Sequence, residues 1–460
     1  MKRIIVSIHF FIITYFNYNA ISQDFNNFQV NKEANKGTLF FKVSDCIEYA
    51  LKYNPDILSA DSRYKSAGAE ITAAFGEFLP SIDVSMGYTR QLNIEGGKTV
   101  NVGGQIIPLP STDPNSYRIN AGASYVIFNG FSRESNYNKT KDNLNSIYYS
   151  NQHLRRTVIL NIYRQFTEVL RTKQIIKLRQ ENLDLAKKDY LKIKAQYDVG
   201  VLPITNIYTQ ETEISNRELE LLKAENDYKL ASANLLSLMG LNPNSEAEFL
   251  DDGYPKSIRD HNIEKFRKEI GSIESATDRA IKNRLDIQAA DYSISSAQLQ
   301  MQVANSQYFP ILSAMGGWSW TNNDLTKFSE LGRSYIGLNL QVPIFDNFRT
   351  NYQVQAAKAL LDQKEIEKNV IIQNIKKEVK TSFLNLETAE KQIEISERAL
   401  LSAEKSFESA EGRFRAGSIS ITDYYYANNL LINAKVNRIT AFYNYYNAQK
   451  EVLYSMGILE

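Results

Sequence analysis

Four short stretches of the chain alternate between apolar and polar positions with a period of two. In Ile82-Asp-Val84-Ser-Met86-Gly-Tyr88 every even position is apolar or aromatic, and the odd ones are polar or glycine. Tyr117, Ile119, Ala121, Ala123, Tyr125 and Ile127 alternate with Arg118, Asn120, Gly122 and Ser124. Leu312, Ala314, Gly316, Trp318 and Trp320 share one face, and Ile336, Leu338, Leu340, Val342 and Ile344 lie opposite Gly337, Asn339 and Gln341. Such a period puts one set on each side of a strand, so strands are expected at about 81–92, 116–128, 311–321 and 334–345. Each has roughly the 10-residue length that crosses a bilayer as a tilted strand. Tyr88, Tyr117, Tyr125, Phe128, Trp318, Trp320, Tyr335 and Phe345 are the candidates for aromatic girdles at the two membrane surfaces. A soluble hairpin packed on a core is the alternative, but no partner sheet or covering helix suggests itself for it.

The rest of the chain keeps a helical rhythm. From about Gly130 to Val199 there is no proline and no further glycine, and a helix of that span is roughly 100 Å long at 1.5 Å per residue. Ile159, Ile162, Phe166, Val169, Ile176, Leu183, Ala186, Tyr190, Ile193 and Tyr197 recur at three and four, the period of helices wound around one another. Ile207, Ile214, Leu221, Tyr228 and Leu235 follow at strict sevens. A second proline-free run extends from about Phe348 to Ala416, and another from Ile421 to Met456. Gly200 and Gly417 stand where the first helix of each pair should stop. Thr205, Asn206, Thr422 and Asp423 are of the type that caps the next, so each pair is expected to fold back as an antiparallel hairpin with turns near 200 and 417. Taken alone, these helices fit equally an ordinary solvated coiled coil.

The two halves are copies of one unit. Ala50-Leu-Lys-Tyr-Asn-Pro-Asp-Ile falls on Ala280-Ile-Lys-Asn-Arg-Leu-Asp-Ile at an offset of 230, which also carries Pro80 to Pro310 and Gly87-Tyr88 to Gly317-Trp318. Beyond the loop around Gly96 to Ser116 the offset becomes 217: Ile127-Phe128-Asn129 lies on Ile344-Phe345-Asp346, Gly200 on Gly417, and Met239-Gly240 on Met456-Gly457. The expected organisation is a first repeat over 23–240, a link over 241–273, and a second repeat over 274–460. By position the link is expected to form an equatorial band.

Targeting and composition narrow the setting. Met1-Lys2-Arg3, an apolar run from Ile4 to Phe16, and Ala20 and Ser22 at signal-peptidase spacing make residues 1–22 an expected secretory leader. With 53 basic and 52 acidic residues the charge is balanced, so no field attracts nucleic acid. One cysteine, Cys46, permits no intramolecular disulfide and reads as a small buried residue in a helix. Of three histidines, His153 and His261 have no ligand-spaced companion and His9 belongs to the leader. No nucleophile elbow, phosphate loop or dinucleotide fingerprint occurs. The expectation is a non-enzyme with no cofactor and no metal.

Four membrane-type strands cannot close a barrel, since single-chain barrels begin at about eight. Three chains supply 12, which makes a homotrimer the expected assembly.

The repeated starts at Ala50 and Ala280, the hairpin motif at Tyr197-Asp-Val-Gly200-Val-Leu-Pro-Ile-Thr-Asn206 and Phe414-Arg-Ala-Gly417-Ser-Ile-Ser-Ile-Thr-Asp423, and the closing Leu238-Met239-Gly240 and Ser455-Met456-Gly457 occur twice in the same order. In this the chain resembles the TolC family of outer-membrane efflux proteins over essentially its whole mature length. The resemblance implies a mainly α fold with a membrane β part, a 12-stranded barrel in the trimer, and a helical periplasmic tunnel. It implies residence in the outer membrane of a diderm bacterium, contact with outer-membrane lipid, and docking to a periplasmic adaptor that serves an inner-membrane transporter. The implied function is the outer-membrane duct of a tripartite efflux pump; a type I protein-secretion duct and a structural coiled-coil surface protein are the alternatives. The resemblance also implies carboxylates at the periplasmic entrance: Asp423 falls on such a position, with Asn206 as its counterpart in the first repeat and Tyr426 where a second aspartate often stands. Helix capping is the competing role for Asp423. The turns Val199-Gly200-Val201 and Ala416-Gly417-Ser418 are candidates for adaptor docking, or serve only as helix stops.

Overall fold

The computed structural model describes residues 39–92, 99–108, 113–251, 260–328 and 330–459. The leader expected at 1–22 lies outside the described residues, as do 252–259 of the expected link and parts of the long loop of the first half.

The duplication appears in the element lengths. In the first half, α1 (Val43–Tyr53) and α2 (Pro55–Gly76) lead into β2 (Ser81–Arg90) and β5 (Asn115–Phe128), then α3 (Ser132–Asp198) and α4 (Ile204–Leu238). In the second, α6 (Ile273–Asn283) and α7 (Leu285–Ser306) lead into β7 (Ile311–Asn322) and β8 (Arg333–Gln341), then α8 (Arg349–Arg415) and α9 (Ile421–Ser455). α3 and α8 each have 67 residues, and α4 and α9 each have 35. Among the described residues, five smaller strands and α-helices have no counterpart in the other half: β1 (Leu39–Phe41), the hairpin β3 (Thr99–Val102) with β4 (Gln105–Pro108), and the link's β6 (Ala247–Phe249) with α5 (Asp260–Ile270).

One compact unit contains residues 1–55, 158–268 and 385–451. Here β1 pairs in parallel with β6, and Phe249 is fully buried between the rings of Phe41 and Phe166. Arg267 of α5 grips the Glu390 carboxylate with two guanidinium nitrogens at 2.8–3.2 Å. Cys46 is completely buried in α1.

The other unit contains residues 56–157, 269–384 and 452–460. In it β2, β5, β7 and β8 form one antiparallel sheet in that order, with β2 and β8 outermost. Heptad-spaced alanines, Ala67 and Ala74 on α2 and Ala297 and Ala304 on α7, are buried; small side chains there let helices approach closely. Among the described residues no helix is long and apolar enough to cross a membrane.

Three expectations need correction. β8 ends at Gln341, short of Phe345, because Pro343 has no N–H to give to a ladder. The long loop of the first half holds the hairpin β3–β4, whose signal was Val100-Asn-Val102-Gly-Gly-Gln-Ile106-Ile107: alternating apolar residues around a two-glycine turn, with Gly103 and Gly104 both at positive φ. The helix-start residues also lie two places earlier than the motif suggested. α4 follows Pro203 without a side-chain cap, and Thr205 and Asn206 are already helical. α9 follows Ser420, whose Oγ accepts from the Asp423 amide at 3.1 Å.

Glycine closes all four hairpin helices in the same way. Gly200, Gly240, Gly417 and Gly457 have φ between 71° and 78°, and the residue after each donates back to a carbonyl five residues earlier, as Val201 does to Gln196 at 2.8 Å. Their surroundings differ. A Cβ at Gly200 meets open space, whereas one at Gly240 would lie 2.1 Å from the Tyr53 carbonyl oxygen. Gly200→Ala is therefore expected to cost only the left-handed penalty of about 1–2 kcal/mol, and Gly240→Ala to prevent normal folding; thermal melts followed by circular dichroism test the contrast. Burial pushes the Cys46 thiol up to about 12, with the Asp45 charge adding to the shift. At pH 8 Cys46 should ignore maleimide in the native protein and react fully in denaturant, read by mass spectrometry.

Candidate functional site: a two-faced sheet and two hairpin tips

Cross-strand register sorts the sheet into two faces. Val84 lies opposite Ala121, which lies opposite Trp318; Ile119 faces Trp320, and Ala314 faces Leu338. On this apolar face Ile82, Met86, Ile336 and Leu338 are 77, 76, 92 and 73% exposed. Contiguous large hydrophobics at that exposure mark a surface built for an apolar medium or a partner. The opposite face carries Ser85, Asn120, Ser319 and Arg333 in one cross-strand row, and Asp83, Gly122, Gly317 and Tyr335 in another. It is polar and rich in small residues, including Gly87 and Gly337.

The aromatic candidates fall into groups at the two ends of the strands. Tyr88 and Tyr117 are direct cross-strand partners with rings stacked at 5.0 Å, and the Tyr88 hydroxyl donates to Asn115 Oδ1 at 2.9 Å. At the other end Phe128 meets Phe131 edge-on at 5.5 Å, and Phe345 meets Phe348 in the same way at 5.5 Å. Tyr125 lies under the Arg133 guanidinium, which also covers Phe78. Two candidates depart from a girdle position. Tyr335 belongs to the polar face, where its ring lies against Gly317. Trp320 is 0% exposed, because the loop after β7 folds over it.

At the hairpin tips, Val199 and Val201 are 74% and 67% exposed, and Gly200, Ala416, Gly417 and Ser418 are exposed as well. Asp423 is exposed, and its Oδ2 accepts from Ser420 Oγ at 2.8 Å in a reciprocal capping box. Asn206 is half-buried, and Tyr426 is 67% exposed. Beneath the tips Ile193, Ile421, Tyr424 and Tyr425 form a buried cluster with Phe407, Phe414 and Ile207 against it.

Next to that cluster is a buried polar layer that the apolar periodicity did not reveal. Tyr424 OH donates to Asp189 Oδ2 at 2.8 Å, and Asn428 Nδ2 to Asn182 Oδ1 at 3.0 Å. Arg217 Nη1 donates to the Asn182 carbonyl and Oδ1 at 2.9 and 3.0 Å, while its Nε holds Glu213 at 3.0 Å. Gln210 Nε2 donates to the Ala186 carbonyl at 2.6 Å. α4 therefore buries Gln210, Arg217, Ala224 and Ala231, while the expected seam of Ile207, Ile214, Leu221 and Tyr228 is half-buried beside it. The signal was present as polar residues at sevens, Asn182 with Asp189 and Gln210 with Arg217. Burial, reinforced by the hydrogen bond to Asp189, raises the Tyr424 hydroxyl pKa, so it remains a donor at every working pH. Among the described residues no cluster of histidine, cysteine and carboxylates has metal-binding geometry. His153, half-buried, has its pKa lowered mainly by desolvation.

Known proteins share this architecture. The outer membrane efflux protein family matches residues 46–241 and 276–457, one segment in each half. The outer membrane efflux protein BepC of Brucella suis is 22% identical over 352 residues, 75% of this chain and 69% of its own. The outer membrane protein TolC of Vibrio cholerae is 20% identical over 423 residues, 91% of both chains. The outer membrane channel CmeC of Campylobacter jejuni superposes with a TM-score of 0.74 at 19% identity, covering 90% of this chain and 85% of that one. The chain belongs to the outer membrane efflux protein family. Its fold is that of the TolC-like channels, its place is the outer membrane, and its activity is efflux.

Tyr424→Phe would leave Asp189 Oδ2 without its donor, while Lys192 Nζ still holds Oδ1 at 3.1 Å. The expected loss is about 1–3 kcal/mol, and a double-mutant cycle with Asp189→Ala, which removes the acceptor, should return a coupling energy of that size in thermal melts. Additive losses would mean that the pair does not interact.

Proposed function

We propose that this chain is one protomer of a homotrimeric duct that carries small molecules out through the outer membrane, fed by a periplasmic adaptor and an inner-membrane transporter, with no catalytic step. The observation that carries the reading is the four-stranded sheet with one exposed apolar face, one polar face, and outer strands β2 and β8 that have no second strand partner among the described residues. Backbone groups at an open edge cannot be left unpaired in hydrocarbon. Because β2 and β8 are antiparallel in this order, β8 of one copy can take β2 of the next and continue the ladder, and three copies make 12 strands. The polar face then lines the lumen and the apolar face meets lipid, with Tyr88, Tyr117 and Trp318 near one membrane surface and Tyr125, Phe128 and Phe345 near the other.

The long helical hairpins continue below the membrane as a tunnel wall, and the described part of the link, with β6 and α5, bands its middle. Asp423 is the gate candidate: three copies about a narrow axis concentrate negative potential, even with one oxygen committed to Ser420. Asn206 in the first repeat and Tyr426 beside it add no charge, so the ring has a single carboxylate per protomer. The exposed turns at Val199-Gly200-Val201 and Ala416-Gly417-Ser418 suit adaptor docking.

The purified protein should run as a heat-modifiable trimer and open discrete conductance steps in planar bilayers; a monomer that conducts nothing would overturn the duct. In the same bilayers Asp423→Ala should reduce cation selectivity, read as a shift of the reversal potential in a KCl gradient. An unchanged potential would leave Asp423 a helix cap alone.

A further inference from the structure

The loop between β7 and β8 folds sideways over the apolar face of the sheet. Trp318 and Trp320 project from β7 on the side shared with Leu312 and Ala314, which register matches to Leu340 and Leu338. Trp320 Nε1 donates to the Lys327 carbonyl at 3.1 Å and the Glu330 carbonyl at 2.8 Å. Phe328 caps both indoles at centroid distances of 5.5 and 5.4 Å, and Gly332 lies so close to Trp318 that a Cβ would fall 2.6 Å from its Nε1. Asp324 accepts from the Thr326 amide at 2.9 Å and fixes the single helical turn of Leu325–Lys327. The loop is thus fastened to the sheet by its backbone and by one aromatic ring.

The loop presents three large apolar side chains outward: Leu325, Phe328 and Leu331 are 53, 49 and 69% exposed, interleaved with exposed Asp324, Thr326, Lys327 and Glu330. Leu331 is held at a φ of 64°, a left-handed conformation in which a side chain crowds the following carbonyl oxygen. A strained leucine displayed to water gains nothing there. Displayed to lipid it recovers the transfer energy of its side chain.

We infer that this loop is a membrane foot: Leu325, Phe328 and Leu331 insert at the headgroup–acyl boundary of the outer leaflet, and Lys327 lies at headgroup level. The occupant is lipid because the loop continues the sheet's own apolar face at the strand end farther from the long helices. An interfacial segment of this composition buries its apolar side roughly 5–10 Å into the boundary region. The inference rests on the proposed barrel.

The test uses full-length protein in phospholipid vesicles, with a bimane probe on Leu325→Cys or, separately, on Leu338→Cys in the middle of the apolar face; buried Cys46 stays unlabelled. Lipids carrying a nitroxide at the headgroup should quench the Leu325 probe at least twofold more than lipids labelled deep in the chain, and the order should reverse at Leu338. Quenching of the Leu325 probe by aqueous iodide and by neither lipid, with Leu338 still quenched by the deep label, would overturn the foot and leave the barrel standing. If neither position responds to lipid, the barrel reading falls and the foot falls with it.

Discussion

The constraint on which the molecule depends is that peptide groups need hydrogen-bond partners wherever water is excluded. Helices meet it internally, and the long runs α3, α4, α8 and α9 do so without outside help. A sheet meets it only if every edge is matched, and a sheet of four strands has two edges left over. In the proposed duct its apolar side chains point to lipid and its backbone demands neighbours, so two requirements from different parts of physical chemistry lead to the same association. The duplication supplies the strands economically: one unit of helix, two strands and a hairpin, used twice, gives four strands in consistent antiparallel order.

Much of this was legible because it is written in period. Alternation at two marked β2, β5, β7 and β8 from Ile82, Ile119, Trp318 and Leu338, and the long proline-free runs marked the helices. The glycines at 200 and 417 were legible as stops because a left-handed residue after a helix is cheap only for glycine. A constant offset on each side of the long loop fixed which segments correspond.

What stayed hidden depended on who meets whom across space. A search for apolar residues cannot find a core layer built from Asn182, Asp189, Gln210 and Arg217, since their burial is tolerable only when Tyr424, Asn428 and backbone carbonyls stand opposite. Such a layer sets register more sharply than leucines would, because a slip leaves charges unmatched. Trp320 looked like a surface aromatic because nothing in its own strand told of the loop that returns to cover it. The start of α9 was misplaced for a plainer reason: Ser420 and Asp423 cap reciprocally, and sequence alone did not say which of the two begins the helix; α4 starts behind Pro203 with no capping side chain to mark it.

The glycines of the sheet's polar face have a consequence for how relatives could diverge. A methyl group added at Gly87 would have nothing within 4 Å, and at Gly337 only the Met315 side chain would come near, at 3.8 Å. Gly317 is different, hemmed in by the Ala121 carbonyl and the Tyr335 ring. In the proposed duct, enlarging the first two would thicken the inner lining without disturbing the ladder of the protomer, so calibre can drift under selection while the wall that sets it stays intact.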